Sequence, residues 1–289
     1  MASINKIFWG LCTACLLISC QNKADQNKVE YDGNDSLRIV SLNGTVSEIV
    51  SALGLQEQIV GTDVASNYPS ELEKKPKVGH SKKIPVEGVL ALRPNLIVGT
   101  KQDVNQETVE QFKQAGVRLI LFDQEYTVDG AKNLIRNIAD TLHQTVKGDS
   151  ILKEFNKQML AVQAFDKTTK KPRVLFIYAR GAGTMMVGGK GTQVDKVIEL
   201  AGAENAAKDF DEYKPLTPEA LVAYNPDVLL FFSSGLSSLG EEQGLLQVQG
   251  VTETNAGKNR RIIAMDGQLL SGFSPRLPQA IEELHSKIN

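Results

Sequence analysis

Residues 85–97 read PVEGVLALRPNLI, and residues 218–229 read PEALVAYNPDVL. In both stretches a Glu (Glu87, Glu219) opens a short apolar helix. A Pro (Pro94, Pro226) follows seven residues after the Glu, then Asn or Asp, then an apolar strand. Helix–Pro–strand is a common α/β connection. The identical Glu-to-Pro spacing in the two halves of one chain predicts more than that, namely two lobes of like topology.

Outward from these stretches, each half alternates strands and helices. In the first half, strand-like runs at 38–42, 59–61, 96–98 and 117–122 alternate with helical spacing at 46–53, 86–92 and 109–115. Gly54 and Gly116 stop two of those helices. The second half restarts after Lys171-Pro172. It has strands at 173–178, 228–232 and 262–265, and helices at 194–200, 219–223 and 278–288. Such alternation indicates a largely parallel sheet in each lobe. Residues 129–166 are helical throughout. Ala131, Leu134, Ile135, Ile138, Ala139 and Leu142 form one apolar stripe, and Ile151, Leu152, Phe155, Met159, Leu160 and Val162 a second. The predicted fold is therefore α/β: two lobes of similar topology, each with a mostly parallel sheet flanked by helices, joined by one long backbone helix. The expected divisions are an N-lobe at 37–145, a linker helix at 146–167 and a C-lobe at 168–289. A single helical linker is stiff, so lobe motion on ligand binding should be small.

The N-terminus stands apart from the fold. Lys6 precedes an apolar run, IFWGLCTACLLI at 7–18, that closes on Leu17-Ile18-Ser19-Cys20. A basic residue, about a dozen apolar residues and a small-residue junction describe a secretory signal. The run falls short of the roughly 20 apolar residues that a spanning helix needs. Leu-Ile-Ser-Cys resembles a bacterial lipobox, with residues 1–19 removed and lipid on the Cys20 sulfur. All three cysteines lie in this segment, so the mature chain has no disulfide and no thiolate metal site. Residues 20–36 are polar and aperiodic and read as a flexible tether. The expected location is exported and membrane-anchored through lipid, in the periplasm.

Composition and motifs exclude several function classes. The chain has 289 residues, 42% hydrophobic and 23% charged, with a formal net charge of −2. That balance is ordinary for a globular protein and does not call for a nucleic-acid partner. No G-x-S-x-G elbow is present. The Gly-rich run GAGTMMVGGKG at 181–191 lacks the Gly-Lys-Ser/Thr order of a phosphate loop. It reads as a turn before a helix at Thr192, with an anion site on its N–H groups as the lesser alternative. Of the three histidines, His143 and His285 fall in predicted helices facing solvent, and no two share zinc-ligand spacing. The chain is not expected to be an enzyme.

Several stretches carry a family resemblance: Lys77-Val78-Gly79-His80, VLFIYARGAG at 174–183, YKPLTPEA at 213–220, NAGKNRR at 255–261, Met265-Asp266 and LSGFSPR at 270–276. Through them, residues 38–288 resemble the haem-binding periplasmic proteins of bacterial ABC importers. The wider group has a helical backbone between lobes and also binds cobalamin and ferric siderophores, which remain the alternative ligands. The resemblance implies a monomer that binds haem between its lobes and delivers it to an ABC permease dimer with its ATPase.

The resemblance also implies site roles. The slot at position 80 usually holds a Tyr that ligates ferric haem from the N-lobe. Here it is His80, and imidazole is a good axial ligand, neutral near pH 7. Tyr68 and Tyr178 are the alternative ligands. The slot that sometimes supplies a second ligand holds Arg180, which cannot ligate iron but suits a propionate. Lys82 and Lys83 are expected near the propionates, or else form a solvated charged turn. Gly79 and Phe273 complete the expected pocket. Glu87 and Glu219, one per lobe, match the family's permease-docking carboxylates.

Overall fold

The computed structural model describes residues 37–80, 83–163 and 171–289. The expected signal, Cys20 and the tether to residue 36 lie outside the described residues. So do Lys82 and the end of the expected linker helix past residue 163. Four strands, β1 (Ile39–Ser41), β2 (Ile59–Thr62), β3 (Leu96–Thr100) and β4 (Arg118–Phe122), make an all-parallel sheet in the order β2-β1-β3-β4. Every residue of β1 and β3 is buried. Central parallel strands are covered on both faces and so read as unbroken apolar runs. Helices α1 (Gly44–Val50), α2 (Val86–Ala91) and α3 (Gln106–Gln114) connect the strands. Asn43 caps α1 by accepting from the Val46 N–H at 3.0 Å. A π-helical turn over Ser51–Leu55 extends α1, and it closes at Gly54, whose φ of 82° suits glycine.

Two long helices follow, α4 (Val128–Thr141) and α5 (Thr145–Gln163), packed on each other. The stripe expected on α4 is buried at every position. On α5, Leu152, Phe155, Met159 and Val162 are buried but Leu160 is 70% exposed. The buried set steps by three and four residues, and Leu160, one residue past Met159, turns off that face.

The second lobe has β5 (Arg173–Ala179), β6 (Met185–Gly188), β7 (Glu204–Asn205), β8 (Tyr213–Pro215), β9 (Val228–Phe232) and β10 (Ile262–Met265). Their order is β10-β9-β5-β6-β8, with β7 beside β5. β10, β9, β5 and β7 are parallel, while β6 and β8 run antiparallel, so this sheet is mixed. Its helices are α6 (Gln193–Leu200), α7 (Pro218–Tyr224), α8 (Ser233–Ser238), α9 (Glu241–Leu245), α10 (Asn255–Lys258), α11 (Gly267–Ser271) and α12 (Leu277–Ile288). The Gly-rich run is thus partly a strand: β5 and β6 form a hairpin whose tip is residues 180–184, closed by the Arg180 N–H donating to the Thr184 carbonyl at 2.9 Å. The anion alternative there fails, because the Asp195 carboxylate already accepts from the Gly191 N–H at 3.0 Å.

The sequence echo has a backbone counterpart. Glu87 and Glu219 lie in the first turns of α2 and α7, which lead into β3 and β9. Arg93 and Asn225, each just before its Pro, both take positive φ, 49° and 39°. The histidines meet expectation in part: His143 is exposed and His285 lies in α12. His143 lies past the end of α4 with φ 55°. His285 is half-buried, and its Nδ1 is 2.9 Å from the Ala201 carbonyl.

The lobes share one apolar core. It runs from β1 and α1 through α4 and α5 to β9, β10 and α12 without interruption. Polar contacts close the same junction. Glu48 on α1 is buried, and its carboxylate accepts four hydrogen bonds, all from the second lobe: Ser274 Oγ at 2.7 Å, Arg276 Nε at 3.0 Å and NH2 at 2.8 Å, and Gln268 Nε2 at 3.2 Å. Thr45 Oγ1 and Gln124 Nε2 both donate to the Gly272 carbonyl, at 2.6 and 2.9 Å.

Candidate functional site

A cavity of about 440 Å³ lies between the lobes at the C-terminal ends of their strands. Open α/β sheets place their binding crevices at those ends. The N-lobe contributes Asn43 after β1, Ala65 and Asn67 after β2, Asp103 after β3, and Gln124 and Tyr126 after β4. The C-lobe contributes Phe232 at the end of β9 and Ser233 after it, Asp266 and Gln268 after β10, and Gln193 at the start of α6. The lining mixes polar and apolar surface about evenly and carries two carboxylates and no basic side chain among the described residues. Asp103 Oδ2 accepts from Asn43 Nδ2 and Thr100 Oγ1 at 2.6 and 2.7 Å, and Asp266 Oδ1 caps α11.

His80 is not among the residues that line this cavity, but its chain segment is tied to the loop that does. Residues 76–79 run alongside the end of β2, with Thr62 N–H donating to the Pro76 carbonyl, Val78 N–H to Thr62 and Val64 N–H to Gly79, at 2.9, 2.8 and 3.0 Å. The next residue after Val64, Ala65, lines the cavity. His80 follows Gly79 and is exposed, next to the exposed Val64. Gly79 has φ 108°, and a Cβ there would stand 2.9 Å from Pro85 Cδ. Its role is therefore to let the chain turn against Pro85 and present His80. Lys83, also exposed, donates its N–H to the His80 carbonyl at 3.1 Å.

On the C-lobe, aromatic contacts lead from the cavity to the rim. The Tyr178 ring meets the cavity-lining Phe232 edge-on at 6.2 Å. The Arg180 guanidinium lies over the Tyr178 ring at 5.5 Å. Sequence reasoning missed two further tyrosines. Tyr126 lines the cavity, and Tyr213 lies within electrostatic reach of both Tyr126 and Tyr178. Burial raises both of their pKa values. For Tyr213, burial and the neighbouring Glu212 push it up to about 12. Both phenols hold their protons at neutral pH. Tyr126 stands outside every quoted stretch, and Tyr213, although it opens YKPLTPEA, had nothing beside it to mark it as a site residue.

Two expected site residues make contacts of their own. Tyr68 is 42% exposed, but its ring is covered by the Arg276 guanidinium at 3.4 Å. Phe273 is 1% exposed, packed edge-on against Tyr126 at 5.6 Å. Phe273 belongs to the core and supports the cavity wall through Tyr126. Glu87 and Glu219 are exposed, and Val222, 37% exposed, follows Glu219 by three residues on the same helix face. Among the described residues, no three His, Cys, Asp or Glu side chains cluster to hold a bare metal ion.

The profile of the periplasmic binding protein family matches residues 39–269. The chain belongs to the periplasmic binding protein family. It is 39% identical to the periplasmic heme-binding protein RhuT from Roseiflexus sp. RS-1, with a TM-score of 0.84 over 88% of this chain and 98% of that one. It is 35% identical to the periplasmic heme-binding protein BhuT in complex with two hemes, with a TM-score of 0.82 over 88% and 98%. Heme binding protein HmuT is similar at 27% identity and a TM-score of 0.79, over 88% of this chain and 85% of that one. Its solved variants replace one tyrosine, one histidine and one arginine; the tyrosine precedes the arginine by two positions, and the histidine precedes the tyrosine by about a hundred. Curated relatives include the ABC transporter substrate-binding lipoprotein YvrC of Bacillus subtilis, 27% identical over 96% of this chain and 94% of its own length. The Vitamin B12-binding protein of Vibrio parahaemolyticus is 25% identical over 86% and 87%. This binding protein is thus the substrate-binding component of an ABC transporter and not an enzyme. Among the described residues no helix is long and apolar enough to cross a membrane.

Proposed function

We propose that the protein binds haem in the interlobe cleft and delivers it to an ABC permease. The observation that carries this reading is a candidate ligand on each lobe. An exposed imidazole, His80, stands on one lobe beside apolar Val64, and a Tyr178–Arg180 pair stands on the other. The HmuT variants touch the same three residue types at matching spacing: Tyr178 precedes Arg180 by two positions, and His80 precedes Tyr178 by about a hundred. In this reading His80 ligates iron from the N-lobe and Tyr178 approaches the opposite haem face. Arg180 steadies the phenolate or a propionate. Tyr68, whose ring face lies under the Arg276 guanidinium as that of Tyr178 lies under Arg180, is the alternative ligand on the N-lobe. The acidic, amide-rich floor repels propionates, which favours placing them at the rim near Lys83 and Arg180.

The test is spectroscopic. His80→Ala should weaken haemin binding at least tenfold and shift the Soret and charge-transfer bands, in keeping with the strength of a coordinating imidazole. Tyr178→Phe should remove phenolate charge-transfer intensity while His80 still holds the iron. If both variants keep the wild-type spectrum and affinity, the ligand assignment is wrong. A second reading, cobalamin, is favoured by the curated Vitamin B12-binding relatives. It predicts saturable cobalamin uptake that His80→Ala leaves unchanged.

A further inference from the structure

One C-lobe side chain makes four hydrogen bonds, all to the N-lobe. Gln268 Oε1 accepts from the backbone N–H of Asn67 at 2.9 Å and of Tyr68 at 3.2 Å. Its Nε2 donates to the Gly44 carbonyl at 2.9 Å and to Glu48 at 3.2 Å. Arg276, held in two contacts by Glu48, covers the Tyr68 ring at 3.4 Å. Residues 63–68 thus meet the C-lobe at three points, the third being Asn67 Nδ2, which donates to Asp266 Oδ2 at 3.2 Å. The same loop carries Val64, which pairs with Gly79 next to His80.

We propose that Gln268 and Arg276 are positioning residues through which the C-lobe sets the N-lobe segment bearing His80, so that separating the lobes also loosens the iron ligand. The proposal rests on the haem reading above. With the lobes in contact, Gln268 and Arg276 fix residues 67 and 68, and the loop holds residues 76–79 in register through the Thr62 and Val64 amides. When a permease draws the lobes apart, Gln268 leaves the Asn67 and Tyr68 amides and Arg276 leaves the Tyr68 ring. The loop's contacts with the C-lobe, the Asn67–Asp266 hydrogen bond included, are lost in one motion, while the buried Ser66 stays bonded to Ser47 and Lys77 within the N-lobe. Losing the two amide contacts frees the outer end of the loop, at residues 67 and 68, to fluctuate. Cargo release then needs no separate trigger at the iron, because lobe opening itself detunes the ligand.

Two measurements on the full chain test this with Gln268→Ala. Hydrogen exchange in the ligand-free protein should speed up about tenfold across residues 62–68 and 76–80, the size expected for losing two ordinary hydrogen bonds. Exchange in β5, β9 and α12 should stay as in wild type. The rate of haem transfer to apomyoglobin should rise by a similar factor. Unchanged exchange in 62–80 overturns the proposal, whatever the protein binds. Wild-type protein that takes up no haem overturns the haem reading instead, and the exchange result still judges the coupling between the lobes. Should Gln268→Ala fail to fold, Tyr68→Leu removes the Arg276 contact alone. It should shift both readouts in the same direction, and no shift in either overturns the proposal.

Discussion

Glu48→Ala should lower the unfolding free energy by about 3–5 kcal/mol, the usual result of removing one partner of a buried ion pair. The Glu48 side chain is 3% exposed and Arg276 only 15%. All four of the carboxylate's hydrogen bonds come from across the lobe junction. Truncation leaves a cation, a hydroxyl and an amide in a place water hardly reaches. For a chain of this size the loss corresponds to roughly 6–20 °C in Tm, read by calorimetry. Replacing both partners, Glu48→Leu with Arg276→Leu, should recover a large part of it, because no charge is then stranded. A loss below about 1 kcal/mol for Glu48→Ala would place the pair among surface ion pairs, which contribute little. That outcome would remove the clamp from the account of how the lobes are held.

Glu87→Ala combined with Glu219→Ala should cut transport, or complex formation with the cognate permease, by at least tenfold while leaving haem binding and Tm near wild type. Both residues are exposed, in the first turns of α2 and α7, in matching places on the two lobes. As helix-start residues alone they would stabilise by about 0.3–1 kcal/mol each through the macrodipole. As docking residues they would pair with cations of the permease, where losing a charge pair costs about 2–5 kcal/mol and slows association. Each single variant should do less, since the other lobe still docks. Normal uptake by the double variant, with both proteins present at normal levels, would reduce the echo between lobes to a matter of fold.

Most of the architecture was legible in the sequence because its elements carry strong local patterns. The parallel strands are unbroken apolar runs, the α4 stripe keeps helical spacing, and the Glu-to-Pro echo marks equivalent helix–strand joints. What was not legible has physical causes. β6 and β8 are short, antiparallel and set among glycines and prolines, so a hairpin looked like a turn. Leu160 fitted a stripe by composition but not by angle. Among the candidate site residues, His80 could be singled out from its Gly79 turn and its place in the resemblance. Tyr126 and Gln193 could not, and Tyr213 was only the first residue of a quoted stretch, because the three converge only in the fold, from separate parts of the chain. The lobe clamp was also hidden: Glu48 and Gln268 are 220 residues apart, and each looks unremarkable in its own helix.

The most direct test of the central claim is a pair of titrations of the ligand-free chain, one with haemin and one with cyanocobalamin, followed by absorbance. The account predicts a saturable Soret band with haemin that changes position in His80→Ala, and no saturable change with cyanocobalamin. Saturable cyanocobalamin binding without a protein-bound Soret band for haemin would contradict it.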